Sequence, residues 1–480
     1  MLRLKTIENQ KFSGIKLVEV LFYTFPLWFI LGNLAVSINI LLFIVFSLFL
    51  IKKKRLSFRF NNLNWILIIF FSYFFISTTI HFLNVEILNV ALKDISFENN
   101  PIFKSFMLIR FLILLIILDT LFFNQILNLK KLFLSSLICT TFVSFDVILQ
   151  YVTGSDLFGF KSLYTWNSGP FGDERIATTY LKNFSFFSFF YIFDTYKNKN
   201  FSKPLFVFII TLHLLAALLG GNRMPLILFL FGCGLVILFI RNLRIVMSLS
   251  LIIFVSIFVL MFKYDKNYNH AYGVLFSDIN ITKLFKSNKD VTNKQIGEKK
   301  AVNEDIKEIS RSRDGAGIFL RHSGYNRVYH TAIAMWKERP LTGFGLKSFR
   351  VKCWNMLAKD NAGRKITPRP QYIACANHAH NYYLEFLSEA GIIGTSLMII
   401  FFLILLKNSF FYIKKYNQKT NAELILLLPV IINIFTEIWP VRSSGSFFTT
   451  WGATFFWLNV GIFLSAQSLF KNSKFGPSAK

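Results

Sequence analysis

Acidic side chains are scarce in this chain: 25 Asp and Glu stand against 53 Lys and Arg, and together they make up only 16% of its 480 residues. Soluble proteins carry about 25% charged residues, so an ordinary solvated surface is excluded. Segments of alternating apolar and polar residues are missing, which argues against a membrane β-barrel. There is no phosphate-binding Gly-rich loop and no dinucleotide fingerprint, so nothing marks a nucleotide site. Nor is there a basic soluble region that could track phosphates, so the net charge of +28 does not signal nucleic-acid binding. Internal repeats are not evident. Cysteine is rare as well. Cys139 and Cys233 fall in apolar runs and read as small buried hydrophobes. Cys353 and Cys375 share a polar segment, where a disulfide and two free thiols are both open readings.

What the chain has in abundance is apolar surface: 54% hydrophobic residues, 18% aromatic, 59 of them Phe. Runs of bilayer-spanning length recur from end to end. Hydropathy places spans near 15–31, 33–51, 63–83, 105–123, 132–153, 175–193, 205–220, 224–240, 245–262, 385–406, 422–439 and 447–467. The expected fold is all-α: a polytopic membrane helix bundle of about twelve transmembrane helices, with one large, partly helical periplasmic loop before the tenth. The first span lacks a small-residue cleavage site and reads as retained.

Lys and Arg collect on one set of connections, at Lys52-Lys53-Lys54-Arg55, Lys130-Lys131, Lys197/Lys199/Lys203, Arg241/Arg244, Lys414-Lys415 and Lys471/Lys474. The positive-inside rule makes that side, with both termini, cytoplasmic. The expected organisation is nine spans in 1–262, an outer loop in 263–384 and three spans with a tail in 385–480. Within the loop, Lys263 to Asp314 is polar and charge-mixed. After it, Val328, Ala332, Met335 and Trp336 fall at helical spacing and Pro340 follows, which predicts an amphipathic helix at the membrane surface.

The most informative stretch is Cys375-Ala-Asn-His-Ala-His-Asn-Tyr-Tyr-Leu-Glu385, where polar sequence re-enters an apolar run. An imidazole there suits proton removal near neutral pH; a satisfied structural histidine is the plain alternative. His380-Asn381, a short spacer and then Gly391-Ile-Ile-Gly394 with Leu397 resemble the signature of the O-antigen ligase and Wzy-type polymerase superfamily. Within that resemblance, which covers about residues 205–405, His380 is the essential histidine of the periplasmic loop. The glycines also read as small residues that admit a neighbouring helix. His378, two residues away, reads as a neighbour or an assistant. His-x-His invites a metal, but no nearby Cys, Asp or Glu completes a set, and the resemblance implies a metal-independent enzyme without cofactor.

Leu219-Gly220-Gly221-Asn222-Arg223-Met224-Pro225 resembles the family's short arginine-bearing turn, in which Arg223 contacts substrate phosphate. A planar guanidinium can grip a diphosphate bidentately, and an arginine at such depth is costly unless paired. Arg327…Trp336…Pro340…Gly343-Phe-Gly345…Phe349 resembles the loop that precedes the histidine motif. That match makes Arg327 the second phosphate-binding cation, with Arg321 its competitor. Asp173, Glu174 and Arg175 either orient acceptor or Arg223, or form a salt-bridged loop. Asp119 and Asp146 sit within spans, where they read as proton-transport groups or as bundle-facing structural residues.

The resemblance implies a membrane glycosyltransferase of the bacterial inner membrane that works at the periplasmic face. Its donor would be a polyprenyl-diphosphate-linked glycan and its acceptor a hydroxyl of lipid A-core. A Wzy-type polymerase and a protein O-oligosaccharyltransferase rank behind a ligase. A non-enzymatic polysaccharide or lipid transporter is the reading from another class, and it would tolerate loss of His380.

Overall fold

The computed structural model describes residues 14–472 apart from 57, 59–61, 84–100, 164, 197–201, 270–324, 351, 354–373 and 419–423. The expected polar stretch 263–314 therefore lies largely outside the described residues, as does Arg321. The described residues form an all-helical protein. After a broken first helix (14–23, then α1, Phe25–Ile30) come α2 (Asn33–Lys54), α3 (Asn62–Leu83), α4 (Pro101–Met107), α5 (Ile109–Phe123) and α6 (Leu129–Thr153). Next are α7 (Ala177–Tyr196), α8 (Ser202–Leu219), α9 (Arg223–Phe239) and α10 (Arg244–Tyr264). The last group is α11 (Asn326–Glu338), α12 (Tyr382–Gln418), α13 (Leu428–Glu437) and α14 (Thr450–Asn472). The only extended pairing among the described residues is two isolated bridges, Ser155 to Lys161 and Leu163 to Trp166.

Where they are described, the expected apolar segments fall largely on helix. Among the described residues, six helices are long and apolar enough to cross a membrane, and Lys203–Leu219, Arg223–Phe239 and Leu424–Glu437 are shorter apolar helices. The first expected span is broken at Thr24, just ahead of Pro26, whose ring cannot continue a regular hydrogen-bond ladder. Outward faces are greasy: Leu34, Ile245 and Leu41 are 75%, 81% and 62% exposed. Apolar exposure on that scale fits hydrocarbon around the bundle rather than water.

The middle of the bundle is α7, whose residues are buried on nearly all sides against α6, α8, α9 and α13. Aromatic rings fill the space around it. Phe187 stacks on Phe133 at 4.9 Å, and Phe184 meets Phe29 edge-on at 5.1 Å. Thr140 and Ser188 share a hydroxyl hydrogen bond of 2.9 Å between α6 and α7, the way polar side chains join helices without water. At one end of the bundle Asn417 donates to the Phe239 carbonyl, which sets the basic connections around Arg241 and Lys414 side by side. The opposite end gathers the 154–175 connection, the 220–222 turn, the segment before α12 and the 439–449 connection.

Candidate active site

The histidine segment is held by α11. The helix is amphipathic, as its spacing predicts, and turns Val328, Ala332 and Met335 into a small core with Phe344, Phe349, Cys353 and Ala379. Trp336, placed on that face by the sequence pattern, is only half-buried. The Thr331 hydroxyl lies 2.9 Å from the Ala374 carbonyl and accepts from the Ala374 N–H at 3.2 Å. Cys353 and Cys375 are disulfide-bonded, with Cα atoms 5.6 Å apart. Residues 374–380 thus hang from a helix that shares its own core.

A turn after α11 fixes the start of α12. Phe344 and Gly345 donate backbone N–H groups to Ser388 and Glu389, while Ile392 and Ile393 donate to Pro340 and Leu341. This exchange requires α12 to open, and it opens at Gly391, where φ is +62°. A Cβ on Gly391 would lie 2.3 Å from the Leu341 carbonyl oxygen. The neighbour that Gly391 admits is therefore the backbone of a turn. Gly394 faces a helix instead: a Cβ there would come within 2.9 Å of the Tyr73 ring on α3.

Asn381 caps α12. Its side-chain oxygen accepts from the N–H groups of Tyr383 and Leu384 at 3.0 and 3.2 Å, satisfying donors a helix start leaves orphaned. Its amide nitrogen donates to the carbonyls of Pro440 and Arg442. The pair His380-Asn381 so joins α12 to the 439–449 connection.

His380 sits in the left-handed region with φ +54°, a conformation that costs a non-glycine residue energy and recurs at functional sites. Its carbonyl accepts from the Ser444 N–H at 2.8 Å. The His380 ring stacks on Tyr325 with centroids 4.0 Å apart, and the His378 ring lies 4.1 Å away. His378 Nε2 is 3.3 Å from the Ser444 carbonyl, an oxygen that can only accept, so Nε2 carries the proton in that bond. Burial pushes His380 down to about 4; His378 adds to the effect and the Ser444 backbone opposes it. His378 is also pushed down to about 4, first by burial and then by the Lys347 charge. Both rings are neutral at neutral pH, and His380 is a free base.

Both histidines line a cavity of about 410 Å³ together with Glu174, Lys182, Tyr325 and Arg442, among others. Its floor is charged. Lys182 of α7 and Glu437 of α13 form a buried ion pair, and Arg442 Nη1 lies 3.4 Å from the same carboxylate. The Tyr382 hydroxyl donates to Glu437 at 3.4 Å, and the Arg442 guanidinium covers the Tyr382 ring at 4.8 Å. On this floor two cations share one carboxylate, and Glu174 adds a second acid elsewhere in the lining. A second cluster supports the wall: Lys347 Nζ is 3.9 Å from Glu385, Phe447 N–H donates to Glu385 at 2.7 Å, and Ser446 bonds to both Lys347 and Glu385.

The structure brings His380, His378 and Glu174 into one cavity and sets Asn381 directly behind it. Arg223, exposed on the first turn of α9, is outside the lining, although Asn222, Met224 and Pro225 belong to it. Arg327 is exposed on the first turn of α11, two residues beyond the lining Tyr325. Arg175 is stacked on Trp166 at 3.3 Å, and its carbonyl accepts from Asn222, which ties the 154–175 connection to the arginine turn. Asp146 accepts from the Leu157 N–H at 2.9 Å and so holds that connection. Sequence reading missed Lys182, Glu437 and Arg442. Their signal was present, since ionisable residues inside apolar stretches mark functional or paired positions.

Residues 206–399 match the family model described as O-Antigen ligase. That match ties the chain to the O-antigen ligase-like superfamily over this stretch. It contains Arg223, Arg327, His380, Gly391 and Gly394, while Lys182, Glu437 and Arg442 lie outside it. No curated protein matches the chain. At a coarse level the family and the apolar helices support a multi-pass membrane protein with ligase- or polymerase-type transfer of glycans.

Proposed function

We propose that this O-antigen ligase-like protein is an inverting, metal-independent glycosyltransferase that moves a glycan from a polyprenyl-diphosphate carrier to an acceptor hydroxyl, with lipid A-core the preferred acceptor. The observation that carries the reading is the His380 imidazole, half-buried at the wall of a cavity floored by the buried Lys182, Arg442 and Glu437 side chains. His380 takes the acceptor proton as that oxygen attacks the anomeric carbon. The bond from that carbon to the diphosphate breaks, and the diphosphate leaves with the electron pair. Arg223 and Arg327 hold the diphosphate at the rim. Each opens a helix, and the first N–H groups of α9 and α11 add to the attraction for an anion. Preorganised positive charge of this kind is commonly the largest contribution to lowering a barrier.

The basic connections at the opposite end of the bundle support a cytoplasmic assignment for that end and a periplasmic one for the cavity. The expected division into 1–262, 263–384 and 385–480 then sets the described part of the loop over the catalytic end.

Glycan profiling tests the reading in cells lacking the gene, complemented with wild type or His380→Ala. Ligation predicts full-length glycan accumulating on the lipid carrier and absent from lipid A-core, with His380→Ala failing to rescue. Accumulation of single repeat units would assign polymerisation instead. Rescue by His380→Ala would remove the histidine from catalysis and favour transport.

A further inference from the structure

Three residues that line the cavity each keep a buried side-chain polar atom without a protein hydrogen bond: Asn183 Oδ1, Arg442 Nε and Ser444 Oγ. None is a surface group. Asn183 is 2% exposed and Ser444 8%, and the Arg442 side chain is 9% exposed. Leaving such an atom unpaired is expensive in a folded protein, so each calls for a partner. Arg442 Nη1 is already committed: it donates to the Thr436 and Glu437 carbonyls at 3.1 Å and faces the Glu437 carboxylate. Ser444 spends its backbone on the two histidines, donating to the His380 carbonyl and accepting from His378. Its hydroxyl is left over on a residue bonded to both histidines.

The three atoms differ in what they need. An arginine Nε only donates, an amide Oδ1 only accepts, and a hydroxyl does either. An ionised phosphate or carboxylate offers acceptors alone and would leave Asn183 Oδ1 unmatched. A sugar ring offers hydroxyls that donate and accept, and the cavity of about 410 Å³ is within the ordinary size of small-molecule sites, about 300–1,000 Å³. We propose that Asn183, Arg442 and Ser444 form a sugar subsite beside His380 that grips the hydroxyls of the glycan residue next to the carrier diphosphate. The Lys182–Glu437 pair fixes Arg442 in place, so the subsite is set by α7, α13 and the connection after α13. This inference rests on the donor class proposed above and adds the residues that recognise its sugar.

The test uses the full chain purified in detergent and two probes: the lipid-linked glycan extracted from cells lacking the gene, and bare undecaprenyl diphosphate. Wild type is expected to bind the glycan-bearing lipid more tightly than the bare one. Asn183→Ala and Ser444→Ala should each shrink that preference about five- to tenfold, the worth of one hydrogen bond, while leaving affinity for the bare lipid unchanged. His380→Ala should keep the preference and lose transfer. Equal affinity of wild type for the two lipids would overturn the subsite, as would variants that weaken both lipids alike or neither. If no lipid-linked glycan accumulates, or His380→Ala still transfers, the donor reading itself falls, a result separate from failure of the subsite alone.

Discussion

The imidazoles of His378 and His380 lie with ring centroids 4.1 Å apart, and both residues are tied to Ser444, whose N–H donates to the His380 carbonyl and whose carbonyl accepts from His378 Nε2. Two histidines so close cannot both take a proton without repulsion, and burial already disfavours the charged form of each. The pair acts on the pH behaviour of the site as a unit.

For a base that must be neutral, activity is present above its pKa and lost as pH falls through it. With His380 pushed down to about 4, kcat/KM for glycan transfer should stay level through neutral pH and drop only near pH 4. Replacing His378 by Gln removes a neighbour that lowers His380, so the acid limb should move upward in pH. A wild-type limb near the ordinary histidine value of about 6.5, or a limb that His378→Gln leaves unshifted, would contradict this account.

Asn381 has two jobs that substitution can separate. Asn381→Ala removes the cap of α12 and should cost about 1 kcal/mol of stability. Asn381→Asp keeps an oxygen for Tyr383 and Leu384 but sets a carboxylate against the carbonyls of Pro440 and Arg442. Transfer should fall at least about tenfold in both, because a small displacement of the base is costly, while thermal melting should separate the two. Full activity in the Asp variant would show that the link to the 439–449 connection is dispensable.

Gly391→Ala introduces a Cβ 2.3 Å from the Leu341 oxygen at a φ of +62°. Backbone strain alone costs about 1–3 kcal/mol, so a clear fall in melting temperature is expected. Gly234→Ala, with nothing within 4 Å of the added carbon, is the matched control in α9 and should be neutral or mildly stabilising, since Ala is the better helix former.

Glu437→Gln should damage the protein more than Lys182→Met. The first leaves Lys182 and Arg442 buried without their carboxylate, a loss of about 3–5 kcal/mol for a broken buried pair. The second leaves Glu437 paired with Arg442. Equal melting temperatures for the two variants would mean that the cluster is wet enough to tolerate an unpaired cation.

Much of this protein was open to reading from its residues in order. A run of Phe, Leu and Ile long enough to cross a bilayer is a local property, so the helices fell where hydropathy set them, from 33–51 to 447–467. The amphipathic face of α11 and the histidine motif are local as well: Val328, Ala332 and Met335 recur on one helical face, and His380 to Leu397 spans only a few turns. What the linear pattern left open was partnership. Lys182 and Glu437 lie 255 positions apart, and only the packing of α7 against α13 decides that their charges meet rather than face lipid. The same holds for Gly391, whose role depends on a turn from residues 340–343 lying against it. It holds for Arg223 and Arg327 too, which the chain order marks as cations but the bundle sets just outside the cavity lining. Sequence by itself determined the helices and the histidine motif, because hydropathy and side-chain chemistry are carried residue by residue. Tertiary structure alone decided the charged floor and the unpaired polar atoms beside it, because a buried charge or hydrogen bond is defined by whatever packs across from it.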